Sequence, residues 1–220
     1  MIKILAFDTS LDLCSVAISV DAEIIGRQES ARQNHNRLLL PMIENLLRQA
    51  NLQLKDLDVI AFGCGPGSFT GIRLATSIAQ GLAFGANLPV LPLSSLQILA
   101  QTVYDKYGHQ QVLTALDARM QQIYWGAYVE KNGLMTAVIP DAILVPTKVS
   151  CPYSGDWVGA GDGWQAFKDE LCAILPVKTI IYEQPEARSM IGLARFLYES
   201  KKAVMPKDAV PIYLGKWQKL

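Results

Sequence analysis

"ILAFDTSLDLCSVAISVDAE" (residues 4–23) and "LTALDARMQQIYWGAYVEKNG" (residues 113–133) follow one pattern. Each begins with a short apolar run, ends that run on an aspartate, turns, and continues as a β-rich stretch. The two aspartates, Asp8 and Asp117, stand 109 residues apart. A continuous apolar run bounded by a turn reads as a buried strand, and the alternating "CSVAISVD" as a half-buried one. "EIIGRQES" follows a tight turn near Asp21-Ala22, which makes a three-stranded meander. In the second passage Lys131-Asn132-Gly133 supplies a hairpin turn into "LMTAVIPDAILVP".

Outward from the first passage, "NHNRLLLPMIENLLRQAN" has helical period, with Pro41 either kinking the helix or starting its main part. "DVIAFGCGPG" reads as a strand, "TGIRLATSIAQGLAFGA" as a helix and "LPVLPLS" as a short strand. "SSLQILAQTVYDKYG" opens with Ser94 and Gln97 spaced as a capping box. After the second passage come a glycine loop "VGAGDGW", a helix "WQAFKDELCAIL", a strand "KTIIY" and a helix "EARSMIGLARFLYES". Two βββαβα copies, each led by a strand-end aspartate, predict an α/β fold of the actin-like/sugar-kinase (ASKHA) architecture, with two ribonuclease-H-like lobes. The expected boundary lies near Gly108, giving lobes 1–107 and 108–220. The first would carry the partner-binding helices.

Composition narrows the function classes. At 220 residues, half of them hydrophobic, the chain has ample material for a core. Twenty basic residues balance twenty acidic ones, without the excess that a dedicated nucleic-acid binder carries. No apolar run reaches the ~18 residues of a membrane span, and "MIKILAFDTS" reads as a strand rather than a signal peptide. The four cysteines lie far apart with no CxxC, so neither a disulfide framework nor a zinc cluster is indicated. A cytoplasmic protein is the expectation.

The loop "FGCGPGSFTGIRLA" (residues 62–75) looks like a phosphate cradle, yet it fails both templates. No lysine follows Gly71, and the spacing of Gly65, Gly67 and Gly71 is one residue too long for a dinucleotide fingerprint. Amides at the helix start could still hold an anion. Alternatively, the glycines permit a sharp strand-to-helix turn, with Ser68 or Thr70 as the cap. Asp8, with Thr9 and Ser10, stands where this architecture holds a metal–phosphate, or forms a plain Asx turn. Asp117 could be an opposing carboxylate, or could pair with Arg119. Gly159, Gly161, Gly163 and Asp162 could approach a nucleotide, with a loop as the default. The only histidines, His35 and His109, cannot form a metal pair on one helix face; His35 reads as a cap or surface residue.

The helices carry more information. Apolar positions of the first, among them Leu38, Leu39, Met42, Ile43 and Leu46, fill an arc of about 200°. The next is apolar nearly all round, through Ile72, Ala75, Ile78, Ala79, Leu82 and Ala83, with Thr76 among its few polar positions. Gly71, Ala75, Ala79 and Ala83 make a smooth i+4 ridge. Burial on more than one side is explained by internal packing or by a partner surface; the second reading predicts that Ile78→Glu or Ala79→Arg blocks pairing and leaves the monomer folded. The C-terminal segment carries Lys201, Lys202, Lys207, Lys216 and Lys219 with Tyr213 and Trp217, a mix that suits RNA or an acidic surface, or simply solvent.

"ILAFDTS", "GPGSFTGIRLA", "DARMQQIYWG", "GDGWQAF" and "PIYL" together resemble the bacterial TsaB (YeaZ) family over essentially the whole chain. Gly215 departs from the basic residue usual after "PIYL". The resemblance implies a non-catalytic subunit for making threonylcarbamoyladenosine (t6A) beside the tRNA anticodon. It implies a heterodimer with a catalytic, metal-binding TsaD-type paralogue through the first two helices, joined by a small TsaE-type ATPase. Contact with tRNA would be indirect, through the complex, and a homodimer is possible for the isolated chain. No cofactor and no metal are implied: where the catalytic relative has its histidine pair, Ser95 and Leu99 stand here. On this reading the glycine loop places the second helix against its strand, and Asp8, Thr9, Ser10, Gly65, Gly67, Ser68, Asp117 and Arg119 are a vestigial nucleotide or phosphate site. A small-molecule kinase using Asp8 and Asp117 is the alternative.

Overall fold

The computed structural model describes residues 2–20, 23–31 and 34–215. The turn expected at Asp21-Ala22 and the residues Lys216, Trp217 and Lys219 lie outside them. Two five-stranded sheets share one strand order. The first runs β3(Glu23–Ser30)-β2(Leu13–Val20)-β1(Ile4–Asp8)-β4(Val59–Gly65)-β5(Val90–Ser94). The second has β6(Gln111–Arg119) at its centre, flanked by β7(Gln122–Lys131) and β8(Leu134–Leu144) on one side and β9(Val158–Ala160) and β10(Ile180–Ile181) on the other. In each, the central strand pairs antiparallel with the next strand of the chain and parallel with the crossover strand. The duplicated actin-like architecture is therefore present strand for strand.

All five residues of β1 are buried, which is why it reads as an unbroken apolar run. Its alternate residues serve different layers. Leu5 and Phe7, with Val16, Ile18, Ile60 and Phe62, join one hydrophobic cluster with helices α1(His35–Gln49) and α2(Phe69–Ala86). Ser15 and Ser19, on the opposite face of β2, meet the later helix α6(Ala187–Glu199): Ala187 N donates to Ser15 Oγ at 3.0 Å and Arg195 Nη2 to Ser19 Oγ at 3.1 Å. Pro41 lies within an unbroken α1. After β5, α3(Ser95–Tyr107) starts with Ser94 Oγ accepting from Gln97 N at 3.5 Å.

The second half departs from its expected order in two places. "VGAGDGW" is a strand, turn and helix start, since β9 runs through Gly161 (φ 104°) into α4(Asp162–Ala166). The expected single helix is broken at Phe167 (φ −129°, ψ 37°) into α4 and α5(Lys168–Ile174). The boundary also differs from 107/108. One compact unit is Met1–Ile98 with Pro185–Ile212, and the other begins at Leu99, runs to Gln184 and takes in the described residues from Tyr213. The cause is α6, whose buried Met190, Ile191, Leu193 and Ala194 belong with the first sheet although α6 follows the second in sequence.

Candidate functional site: a filled glycine loop and an open helix face

At the end of β1, Asp8 Oδ1 accepts from Ser10 N at 2.9 Å and Ser10 Oγ at 2.8 Å. The Asx turn is thus real. The turn then grips the glycine loop: Ser68 N donates to Ser10 O at 2.7 Å, and Thr9 Oγ1 donates to Gly71 O at 2.8 Å. Ser68 caps α2 weakly, its Oγ accepting from Gly71 N at 3.4 Å. Asp8, Thr9, Ser10, Gly65, Gly67 and Ser68 come together as one cluster.

Each glycine of that cluster is filled by the chain itself. A Cβ on Gly71 would overlap Thr9 O, one on Gly67 Ser10 O, and one on Gly63 Asp8 Oδ2. Gly65 (φ 109°) faces Ile212 O, 2.9 Å from where a Cβ would stand, and Ile212 N donates to Cys64 O at 2.8 Å. A phosphate cradle turns amide donors toward open space. Here carbonyl oxygens and a carboxylate stand where Cβ atoms on Gly63, Gly65, Gly67 and Gly71 would go, which makes the loop a tight turn.

Asp8 is 1% exposed and its Oδ2 has no partner. Burial raises its carboxyl to about 6, against the opposing pull of the Ser10 donors. Burial, then the charges of Asp8 and Glu29, push the Cys14 thiol up to about 12. In the other unit, both carboxylate oxygens of Asp117 are held by Arg119, through its N at 2.8 Å and its Nη1 at 2.9 Å. Asp117 N donates to Asp162 Oδ1 at 2.9 Å, and burial raises the Asp162 carboxyl. Arg119, Met120 and Gln121 all take left-handed φ in the turn between β6 and β7. Among the described residues no three His, Cys, Asp or Glu come together as a metal-holding group.

The residues expected at a partner surface differ in their exposure. Leu39, Met42, Ile43, Leu46, Ile72, Ala75, Thr76, Ala79 and Ala83 are all buried within their own unit, and only Leu38, Ile78 and Leu82 are half-buried. The ridge Gly71–Ala75–Ala79–Ala83 faces inward, where its smoothness seats α2 closely on its own sheet. His35 also differs from expectation, because it is buried at the start of α1 with Nε2 unpartnered.

The outward face of α2 is a second small-residue stripe, Ser77, Gly81 and Gly85, with nothing within 4 Å of where a Cβ on either glycine would stand. Phe84, 84% exposed, Phe69, under the Arg73 guanidinium at 3.5 Å, and Leu40 of α1, 45% exposed, add large apolar groups. The sequence held a clue to which stripe faces out: Arg73 and Ser77 continue at i+4 into Gly81 and Gly85, whereas Gly71 continues into alanines only. Gly63 and Ile212, which close the loop, had no local signal.

Comparison with known proteins settles kinship. The TsaB protein of Escherichia coli strain K12, named as a tRNA threonylcarbamoyladenosine biosynthesis protein, is 37% identical over 99% of this chain and 98% of its own length. The chain belongs to the TsaB family. TsaB of Haemophilus influenzae is 35% identical over 100% of this chain and 97% of its own. The solved structure of YeaZ from Pseudomonas aeruginosa has a TM-score of 0.94 at 38% identity, covering 97% of this chain and all of that one. Residues 22–201 also match the family model described as TsaD, tRNA N6-adenosine threonylcarbamoyltransferase. Membership of the TsaB family thus extends over both sheets.

Proposed function

We propose that this chain serves t6A biosynthesis in the cytoplasm as an accessory, non-catalytic subunit. It pairs with a TsaD-type catalytic paralogue, and the pair recruits a small TsaE-type ATPase. The observation that carries this reading is the contrast between the two faces of α2. The N-terminal turn that could have held a phosphate is packed with the chain's own carbonyls, while the outward face offers an open stripe of small residues flanked by apolar ones. Glycine at two exposed helix positions costs about 1 kcal/mol each against alanine. Close approach of another helix is the physical use of such a stripe. The surface comprises Ser77, Ile78, Gly81, Leu82, Phe84 and Gly85 of α2 with Leu38 and Leu40 of α1, and tRNA is met through the complex.

An omission assay tests this function. The TsaD-type protein, the TsaE-type ATPase, threonylcarbamoyl-adenylate and unmodified tRNA are combined with and without this chain, and modified adenosine is followed by mass spectrometry. Modification should need the chain and should persist with Asp117→Ala. Modification unchanged by omission would sink the reading. ATP-dependent phosphoryl transfer by the chain alone, lost in Asp8→Ala, would establish the kinase alternative.

A further inference from the structure

We propose that residues 203–212 form a third wall of the docking surface that α1 and α2 begin, with Met205 and Val210 as its apolar anchors. The occupant is the TsaD-type paralogue, on the pairing already proposed for α2. This segment is stitched to the first unit at three points and lies along α2. Val204 and Val90 exchange both backbone hydrogen bonds at 2.9 Å, on the free edge of β5. Gln80 Nε2 of α2 donates to Ala209 O at 2.8 Å, and Ile212 N donates to Cys64 O at 2.8 Å. Between the first two stitches a 3₁₀ turn, Pro206–Asp208, packs on α2. By helical period Gln80 stands about 40° round α2 from Phe84 and about 60° from Ser77, so the segment borders the outward stripe.

Exposure divides the segment by use. Ala209 is fully buried and does the packing, whereas Met205, Val210 and Ile212 are 58%, 61% and 38% exposed. A lone exposed apolar side chain needs no account, but these three crowd one short segment beside the stripe that carries Phe84. Area gives the third wall its purpose. The 18 residues of α2 and 15 of α1 are about 27 and 22 Å long, so faces ~10 Å wide offer on the order of 500 Å² together. A stable interface covers about 800 Å² on each partner. A neighbouring segment of this length adds on the order of 250 Å². Its charges are Lys207 and Asp208, which offset each other and leave nothing for a phosphate backbone to seek. Apolar anchors beside a small-residue stripe fit the apolar face of a protein helix.

Calorimetric titration of the full chain with the TsaD-type protein tests this, using Val210→Asp and Met205→Glu beside Phe84→Glu. Each segment variant is expected to weaken Kd by at least about tenfold with the melting temperature unchanged, because it carries a carboxylate into an apolar contact. If both stay within about twofold of wild type while Phe84→Glu abolishes binding, the third wall is overturned and the α2 pairing stands. Binding unchanged in all three overturns both. If a segment variant melts lower than wild type, hydroxyl-radical footprinting of the unaltered chain replaces it. Oxidation of the Met205 thioether should then fall by at least about fivefold when the partner is added. Oxidation unchanged by the partner overturns the proposal.

Discussion

At the scale of single residues, the same amino acid has opposite meanings on the two sides of α2. Gly71 is needed because Thr9 O lies where a Cβ would go, and that oxygen belongs to a fixed backbone. Gly71→Ala should cost about 1–3 kcal/mol in denaturant unfolding, the range for overpacking. Gly81 has open space, so Gly81→Ala should stabilise the isolated chain by about 0.5–1 kcal/mol through helix propensity. The same variant should weaken pairing in a pull-down with the TsaD-type protein; a gain in stability with unchanged pairing would argue against the proposed surface. Asp8 adds a pH term. Its folded carboxyl is raised from 3.8 to about 6, so the folded chain holds a proton that the unfolded chain releases in that window. Stability from this group is greatest below about 4 and falls as pH rises to about 6. From pH 4 to 8 the stability difference between Asp8→Asn and wild type should shift in the variant's favour by on the order of 3 kcal/mol. Parallel pH profiles would refute this.

At the scale of elements, two small-residue stripes on nearly opposite faces give α2 its character. Helical period made the strip visible in the sequence, but it does not say which stripe meets the sheet. Of the residues expected at a partner surface, Leu39, Met42, Ile43, Leu46, Ala75, Ala79 and Ala83 pack α1 and α2 onto the first sheet. The consequence is experimental. Ala79→Arg buries a charge in the core and should unfold the first unit, so it cannot probe pairing. Phe84→Glu, at a position 84% exposed, should leave the melting temperature within about 2 °C, because surface changes rarely exceed ~0.5 kcal/mol. It should abolish co-elution with the TsaD-type protein. Co-elution that survives the change would move the interface elsewhere.

At the scale of the whole molecule, duplication is complete in the sheets and incomplete between them. Both have the order that places a strand ending in or near an aspartate at the centre. In the second half no α-helix equivalent to α1 stands between β8 and β9; a short 3₁₀ turn, Pro146–Lys148, takes its place. The last helix, α6, packs on the sheet made by the first 94 residues. Removing residues 185–220, of which 185–212 belong to the first unit, should therefore unfold that unit. Far-UV circular dichroism and a urea titration check this: a cooperative transition with the native slope would contradict it. The balanced charge, twenty of each sign, fits the proposal that the chain meets tRNA through its partners.

What the sequence by itself determined is what local rules govern. Apolar runs, turn residues and the repeated strand-end aspartate specify buried strands, hairpins and their duplication, because these depend on neighbours a few residues away. The Asn132-Gly133 hairpin (φ 54° and 81°) belongs to this class, whereas the Asx turn at Asp8 and the choice of Ser68 over Thr70 as cap were alternatives that the structure decided. Only the tertiary structure decided that the glycine loop is filled, because the atoms that fill it come from Thr9, Ser10 and Ile212, distant in sequence. It also decided which stripe of α2 is buried and where α6 belongs. These are choices of one apolar surface over another, and hydrophobic burial is non-directional, so periodicity marks the candidates and long-range packing selects among them.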